Sequence, residues 1–499
     1  MTGVRLGPTM RRVQPERAVR LLAAGLVTGL VTQYLAVGER AGLNVAVGIA
    51  MFVALSWAVR PARSRPKVAD IAIPATALSF AALCAARTDA PLVALDISAA
   101  VALGLVWMLP LRGTPLLRLT VRRLLAELLA LMRGVSSNLL SVYRVALPAL
   151  AARGPRRSSP AVRYASGLFL ALPFLIVFGA LFSAADAVFQ RTVHDLVDLA
   201  WLRDFARELP QRAAVATLVG WCATGALATS ADPYRVRGGE DRLRPLLGVE
   251  PAIVALLAID ALFVAFVGLQ LTYLFGGRDT LDAAGITYSA YARRGFFELV
   301  AVATLAGATL LGLDLVVRAR GRAYVIAATA LIALTGAVLG SSAMRMTLYQ
   351  EAYGWTELRL YVYAAIAFLA IALATLAWAV VAGRMDHVAT PLACAAIVVA
   401  LAVNAIGPSG AVASKNIERF VDAASLTDDA RRDLDIAYLM SLGDGAIPAI
   451  VERLPSLPER ERSRIEAALR LAAKRSPSVG DWRSWSLDRM RATDVLAGR

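Results

Sequence analysis

Apolar residues run in long blocks, separated by short polar stretches, across the first four-fifths of the chain. A helix needs about 20 mostly apolar residues to cross a bilayer. Eleven stretches meet or approach that length: Ala18–Val37, Leu43–Val59, Ile71–Ala86, Leu92–Pro110, Tyr164–Phe182, Ala213–Ser230, Pro251–Phe275, Phe296–Val317, Ala323–Gly340, Leu358–Val381 and Val388–Ile406. The third is the shortest and holds Pro74. The pattern predicts an all-α, polytopic membrane protein of about eleven transmembrane helices with a small C-terminal helical domain. Four regions follow: a four-span region 1–110, a basic segment 111–163, a membrane core of about seven spans 164–406, and a tail 407–499.

The basic segment has a different period. Leu117, Val121, Leu124, Leu128, Leu131, Val135, Leu139 and Val142 recur at three- and four-residue steps, with Arg118, Arg122, Arg133 and Arg144 off that stripe. Residues 112–163 carry ten arginines and one acid, Glu127. Such a helix lies in the membrane interface, apolar face down, with its arginines toward anionic lipid headgroups. A cytoplasmic docking helix is the alternative. Gly154–Pro160 is a breaker-rich linker. The tail balances 15 cations with 14 acids. Ala430–Leu442, Ile447–Arg453 and Pro458–Lys474 read as its helices, and Trp482 and Trp485 as a docking end.

Composition narrows the class. Of 499 residues 58% are hydrophobic and 18% charged, with mean hydropathy +0.60, which excludes a soluble, fibrous or disordered chain. The net charge is +16, and all cations but Lys67, Lys415 and Lys474 are arginine. Most sit between the spans, which speaks for membrane topology and against nucleic-acid binding. With the N-terminus cytoplasmic, 27 cations fall on inner segments and 11 on outer loops. The bias then expects a multi-pass plasma-membrane protein whose tail, after eleven spans, lies outside. The N-terminus does not read as a cleaved signal peptide. Cys84, Cys222 and Cys394 lie inside spans without ligand spacing.

Candidate chemistry gathers in few places. Ionisable residues inside spans are functional candidates by default. Asp260 is mid-span and reads as a helix-tying acid or a relay. Asp96 and Glu298 stand near outer ends, Asp96 facing headgroups. Asp314 pairs with Arg318 at i+4. The outer loops 286–299 and 341–361 are rich in Tyr, Arg and Glu: Tyr291, Arg293, Arg294 and Glu298 in one, Arg345, Tyr349, Glu351, Tyr353, Glu357, Arg359 and Tyr361 in the other. If helical, Arg345 and Tyr349 share a face, as do Glu357 and Tyr361. The set reads equally as an aromatic belt with snorkelling arginines or as an outward polar pocket in which Arg345 and Arg359 hold an anion.

The run Tyr291-Ala-Arg-Arg-Gly-Phe-Phe-Glu-Leu299 and the segment Met344–Tyr361 resemble the signatures of a bacterial membrane family known only as domain of unknown function 4153/4173. Asn416-Ile-Glu-Arg419-Phe420, then Leu434-Asp435 with Tyr438-Leu439, Asp444–Pro448 and the Trp482–Trp485 end agree with it. The resemblance covers roughly Tyr164–Arg499. It implies a bacterial envelope protein and brings no activity, cofactor or catalytic residues. On the expected topology all these elements share the outer side and form one assembly.

No Walker loop, HExxH, GxSxG or dinucleotide fingerprint occurs. His194, with Asp186, Asp195 and Asp198, lacks the converging spacing of a metal site, and His387 stands alone. No catalytic residues, metal or cofactor are expected. The first reading is a non-enzymatic envelope scaffold, sensor or assembly factor, its partners met through the tail. The second is a secondary transporter or channel using Asp260, Glu298 and Arg345. The third is an enzyme on lipid-linked precursors, with Glu298 or Glu351 as base and Arg345 or Arg359 on a phosphate. Against the third, the first outer loop, Gly38–Gly42, offers only Glu39.

Overall fold

The computed structural model describes residues 15–58, 68–111, 120–153, 200–231, 248–275, 296–317, 321–424, 434–475 and 481–498. Among them the chain is helical, without strands. The first group is α1 Pro15–Ala36, α2 Leu43–Ala58, α3 Val68–Leu83, α4 Ala90–Leu111, α5 Val121–Arg153 and α6 Ala200–Ala231. The second is α7 Val249–Phe275, α8 Phe296–Val316, α9 Arg322–Tyr353, α10 Glu357–Val381 and α11 Ala389–Ile406. The tail forms α12 Pro408–Ala424, α13 Ile436–Ser441, α14 Ile447–Arg453, α15 Glu459–Arg475 and α16 Leu487–Ala497.

Seven described helices (α1, α4 and α7 to α11) are long and apolar enough to cross a membrane by length and composition. Helices α2 and α3 are apolar but shorter. Ten of the eleven expected spans coincide with described helices, and the fifth, Tyr164–Phe182, lies outside the described residues. So do the His194 loop, Arg318 and the linker 154–160.

Packing joins α1 to α6, α3 to α4, α7 and α8 to α9, and α9 to α10. The α1–α6 seam is close because Gly25 and Gly29 face Gly220. Small residues let membrane helices approach where no hydrophobic force drives them together. Thr28 and Thr224 return their hydroxyls to Ala24 and Gly220 carbonyls at 2.8 Å each, so neither is an unpaired polar group in an apolar seam. In the second group Leu256, Leu310, Ala328, Leu331 and Leu376 form a shared core.

Parts of two expected loops are helical. Nothing in Ser341–Tyr353 breaks a helix until Gly354, so α9 runs on for 32 residues. At 1.5 Å per residue that is about 48 Å, well beyond a hydrocarbon core of about 30 Å. Likewise α6 begins at Ala200, ahead of the expected Ala213.

Helix α5 follows the expected stripe but meets a different partner. Leu131 packs with Trp107, Met108 and Ala226, and Val142 and Ala146 pack with Ala18, Leu21 and Leu227. The stripe therefore covers the ends of α1, α4 and α6 instead of facing lipid. Arg122 donates to the Asp314 and Val317 carbonyls at 2.9 and 3.3 Å. Arg123, Arg133 and Arg144 stay exposed, with Leu125, Leu129 and Met132 beside them.

The tail differs from its expected outline. Its first helix, α12, follows α11 after the single residue Gly407, in the left-handed region at φ +67°. Of the expected Ala430–Leu442 helix, residues 430–433 lie outside the described residues and Ile436–Ser441 is helical, and α16 extends past the tryptophans. Leu439, Ile447, Ile450, Ile465, Leu469 and Ala492 make the domain core, which continues into Val412, Ile417 and Leu360.

The seam predicts a sharp glycine contrast. A Cβ at position 29 would collide with the Ala216 carbonyl, whereas one at Gly104 meets nothing within 4 Å. Gly29→Ala is expected to cost about 1–3 kcal/mol and Gly104→Ala to be neutral, read by thermal unfolding of the purified protein in detergent.

Candidate functional site

The end of every helix leaves carbonyls without intrahelical donors, and here long side chains from the tail reach several of them. Helix α9 stops at Gly354, φ +83°, whose amide returns to the Gln350 carbonyl at 2.8 Å. Thr356 caps α10, its hydroxyl accepting from the Arg359 amide at 3.3 Å. Only Gly354, Trp355 and Thr356 separate the two helices. Asn416 of α12 grips that turn from outside. Its Oδ1 accepts from the Trp355 amide at 2.8 Å and its Nδ2 donates to the Trp355 carbonyl at 2.9 Å. Arg419, one turn on, donates to the Glu351 and Ala352 carbonyls at 2.6 and 3.1 Å. The Tyr438 hydroxyl accepts from the Glu357 amide at 3.2 Å.

Arg359 is buried beneath this turn. Its guanidinium donates to the Gly354 carbonyl and lies 4.2 Å from the Tyr349 ring centre. Tyr349 in turn lies 4.9 Å from the Tyr353 ring. Arg359 thus braces the turn and does not present a free fork to solvent.

A second attachment holds the end of the chain against the loop before α2. Arg483 pairs with Glu39 at 2.8 Å and Asp481 at 2.5 Å, donates to the Tyr34 carbonyl, and stacks 4.6 Å from the Tyr34 ring centre. Its hydrogen bonds hold the Asp481 carboxyl below the usual range. The Leu43 amide donates to the Trp485 carbonyl at 3.0 Å. Trp482 and Trp485 keep substantial exposure, so the attachment runs through backbone and Arg483 more than through the indoles. A half-open cavity of about 740 Å³ lies here, between Glu39, Arg40, Asp444, Leu471, Trp485 and Arg489.

A third attachment uses the turn between α3 and α4. The Leu487 and Asp488 amides donate to the Ala85 and Ala86 carbonyls at 2.8 and 3.2 Å. Arg87 donates to the Asn404 carbonyl at 2.6 Å, near the end of α11, and faces Asp488 at 3.8 Å. Around it lie buried acids. Asp89 accepts from the Ser409 amide at 3.1 Å, and Asp96 accepts from Asn404 Nδ2 at 2.8 Å. Glu357 lies within hydrogen-bonding reach of Asp89. Burial pushes the Asp488 carboxyl up against the downward pull of Arg87, and the charge of Asp89 adds to the rise.

The three attachments share one end of the helix bundle. They gather Arg359, Tyr361, Asn416, Arg419 and Tyr438 within one joint, while Phe420 packs into the domain core. Arg345, Tyr349 and Tyr353 stand on the last turns of α9, Arg345 half-buried. Glu298 is exposed on the first turn of α8. Tyr291, Arg293 and Arg294 lie outside the described residues. Asp260 belongs to a different level: it is buried mid-α7, and neither carboxyl oxygen has a hydrogen-bond partner among the described residues. Fifteen residues of α7 follow it, about 22 Å of helix. Asp96 does not face headgroups; it is fully buried on Asn404. Arg87, Asp89, Asn404, Arg483 and Asp488 escaped the sequence reading. The lone amide of its span, Asn404, was the available signal. Among the described residues no His/Cys/Asp/Glu group is arranged to hold a metal ion.

The model of the family described as domain of unknown function (DUF4153) matches residues 75–453, more than half of the chain. The chain belongs to the DUF4153 family. The match begins inside α3, earlier than the resemblance from Tyr164 suggested, and stops before Trp482. No curated protein and no solved structure matches the chain. The Asn416 and Arg419 attachments thus fall within the DUF4153 region, and the Arg483 attachment beyond it.

Two carbonyls held by one guanidinium are not equally served by an ammonium. Arg419→Ala is expected to destabilise the joint by about 1.5–3 kcal/mol and Asn416→Ala by about 2 kcal/mol. Arg419→Lys should recover only part of the loss. Urea unfolding of the intact protein in detergent measures the series.

Proposed function

We propose that this DUF4153 protein is a non-enzymatic scaffold of the bacterial cell envelope, whose membrane bundle holds a helical domain in fixed orientation as a platform for envelope partners. The observation that carries the reading is the triple attachment of the tail to Trp355, Ala85–Ala86 and Tyr34–Leu43. A domain on a flexible tether needs none of these bonds. The arginine bias supports a cytoplasmic N-terminus and a tail on the outer side of the plasma membrane. Exposed Arg123, Arg133 and Arg144 on α5 would then meet anionic headgroups of the inner leaflet. The cavity beside Trp485 has the size of ordinary small-ligand pockets, about 300–1,000 Å³, and offers a partner side chain or ligand a seat. The burial of Arg359 counts against its use as a phosphate holder, and so against an enzyme on lipid-linked precursors.

The test joins topology to presentation. A reporter active only outside the cytoplasm, fused after Arg499, should be on. A photo-crosslinker at exposed Arg464 should give discrete adducts in cells, and these should weaken strongly when Arg419→Ala and Asn416→Ala are combined. Adducts indifferent to those changes, or a reporter active only inside, would sink the platform.

Asp260 favours a second reading, a proton or ion relay, because a buried acid inside a membrane span, without hydrogen-bond partners among the described residues, is costly to keep. On that reading Asp260→Asn abolishes uptake in reconstituted vesicles with little change in thermal stability. As a mere helix tie, the same change leaves any transport intact.

A further inference from the structure

The third attachment contains a group of carboxyls that mechanical docking alone does not explain. Asp89, Asp96 and Asp488 are 4%, 0% and 5% exposed. Each uses one oxygen on a neighbour (Ser409, Asn404 and Arg87 respectively), and in each the other oxygen is buried with no hydrogen-bond partner among the described residues. The Tyr361 hydroxyl is buried beside them. Glu357 completes the set, its carboxyl reaching that of Asp89. The charges of Asp89, Glu357 and Asp96 all act on Tyr361, so the four groups share a small volume.

The neighbours can be counted by element. The α3–α4 turn brings Cys84 and Arg87, and α4 brings Asp96. Helix α10 brings Glu357, Arg359 and Tyr361, and the region of α13 brings Asp435 and Tyr438. The last helix adds Asp488 and the exposed Arg491. Arg359 is turned to Gly354 and Tyr349. With all four carboxyls ionised, four negative charges would face Arg87 and, at the edge, Arg491. Buried like charges do not persist in that state; they take up protons. An ionised carboxylate only accepts hydrogen bonds, so a carboxyl–carboxyl contact between Asp89 and Glu357 requires a proton between them.

We propose that Asp96, Glu357 and Asp488, gathered around the Asp89 carboxylate, form a proton-binding site at the seam, and that its protons keep the C-terminal domain seated on the bundle. Ionisation places like charges on both sides of the joint, on α4 and α10 below and α16 above, and the third attachment opens. The sign follows from linkage: an acid whose burial in the docked state pushes its carboxyl up, as at Asp488, favours docking at low pH, and that contribution is lost as pH rises.

The inference rests on the docked-domain reading, and one experiment separates the two. Hydrogen exchange of the full chain in nanodiscs is followed at the Leu487 and Asp488 amides from about pH 5 to about pH 9, corrected for intrinsic exchange. Protection should fall at least about tenfold across the range in the wild type. It should persist to the high end in Glu357→Gln and in Glu357→Gln with Asp488→Asn, whose amides stand in for protonated acids. Protection that is flat with pH in the wild type, or that falls equally in the neutral variants, overturns the proton site and leaves docking intact. Protection that follows sodium at fixed pH overturns it in favour of a cation. Absence of protection at every pH overturns docking itself. The wild-type arm decides even where a variant does not fold.

Discussion

The constraint on which this architecture depends is the satisfaction of carbonyls at helix ends. A helix that stops within or beside a membrane leaves its last carbonyls short of donors, and at those ends the backbone dipoles gather partial negative charge. Here guanidinium groups supply the donors. Arg483 serves the last turns of α1, Arg122 those of α8, Arg419 those of α9 and Arg87 those of α11. A guanidinium offers several N–H groups in a planar fork and keeps its charge throughout the accessible pH range. The heavy use of arginine over lysine therefore has a structural use beyond topology. All four arginines also join separate parts of the chain: Arg419 and Arg483 bring the tail to α9 and α1, Arg87 joins the α3–α4 turn to α11, and Arg122 joins α5 to α8.

The docked domain is a consequence of the same economy. Its own core is small, about 90 residues being near the lower range of independent folding, and it is extended by Leu92, Leu360 and Val403 into the bundle. Attachment through side chains onto backbone groups, as at Trp355, depends on the shape of the turn more than on the turn's side chains.

Much of the membrane part was legible in the sequence because hydropathy reports directly which segments can lose their water. The helix ends were less legible. Hydropathy drops at Gly340, yet α9 continues to Tyr353, since falling apolarity ends a span without ending a helix. The α5 stripe was read correctly by period, but period cannot distinguish a lipid surface from the ends of α1, α4 and α6. Of the Tyr/Arg cluster, the stretch 349–361 meets the Asn416–Phe420 run, as their grouping in the sequence suggests. That Asn416 would clamp Trp355 backbone was not legible, because a backbone partner leaves no mark on residue type. Asp96 was misjudged for the same kind of reason: its partner Asn404 lies 308 positions away.

Gly407 gives the joint a kinetic character. A single residue, held at φ +67° beneath the Arg87 guanidinium, separates the last membrane helix from the first helix of the domain. With so short a tether the effective concentration of the domain at its seat is very high whenever the geometry permits contact. Opening is then a rotation about one backbone position, and reclosure is a local event that competitors in solution rarely intercept. Such a joint behaves as a hinge with a fast return, and a brief opening does not release its domain.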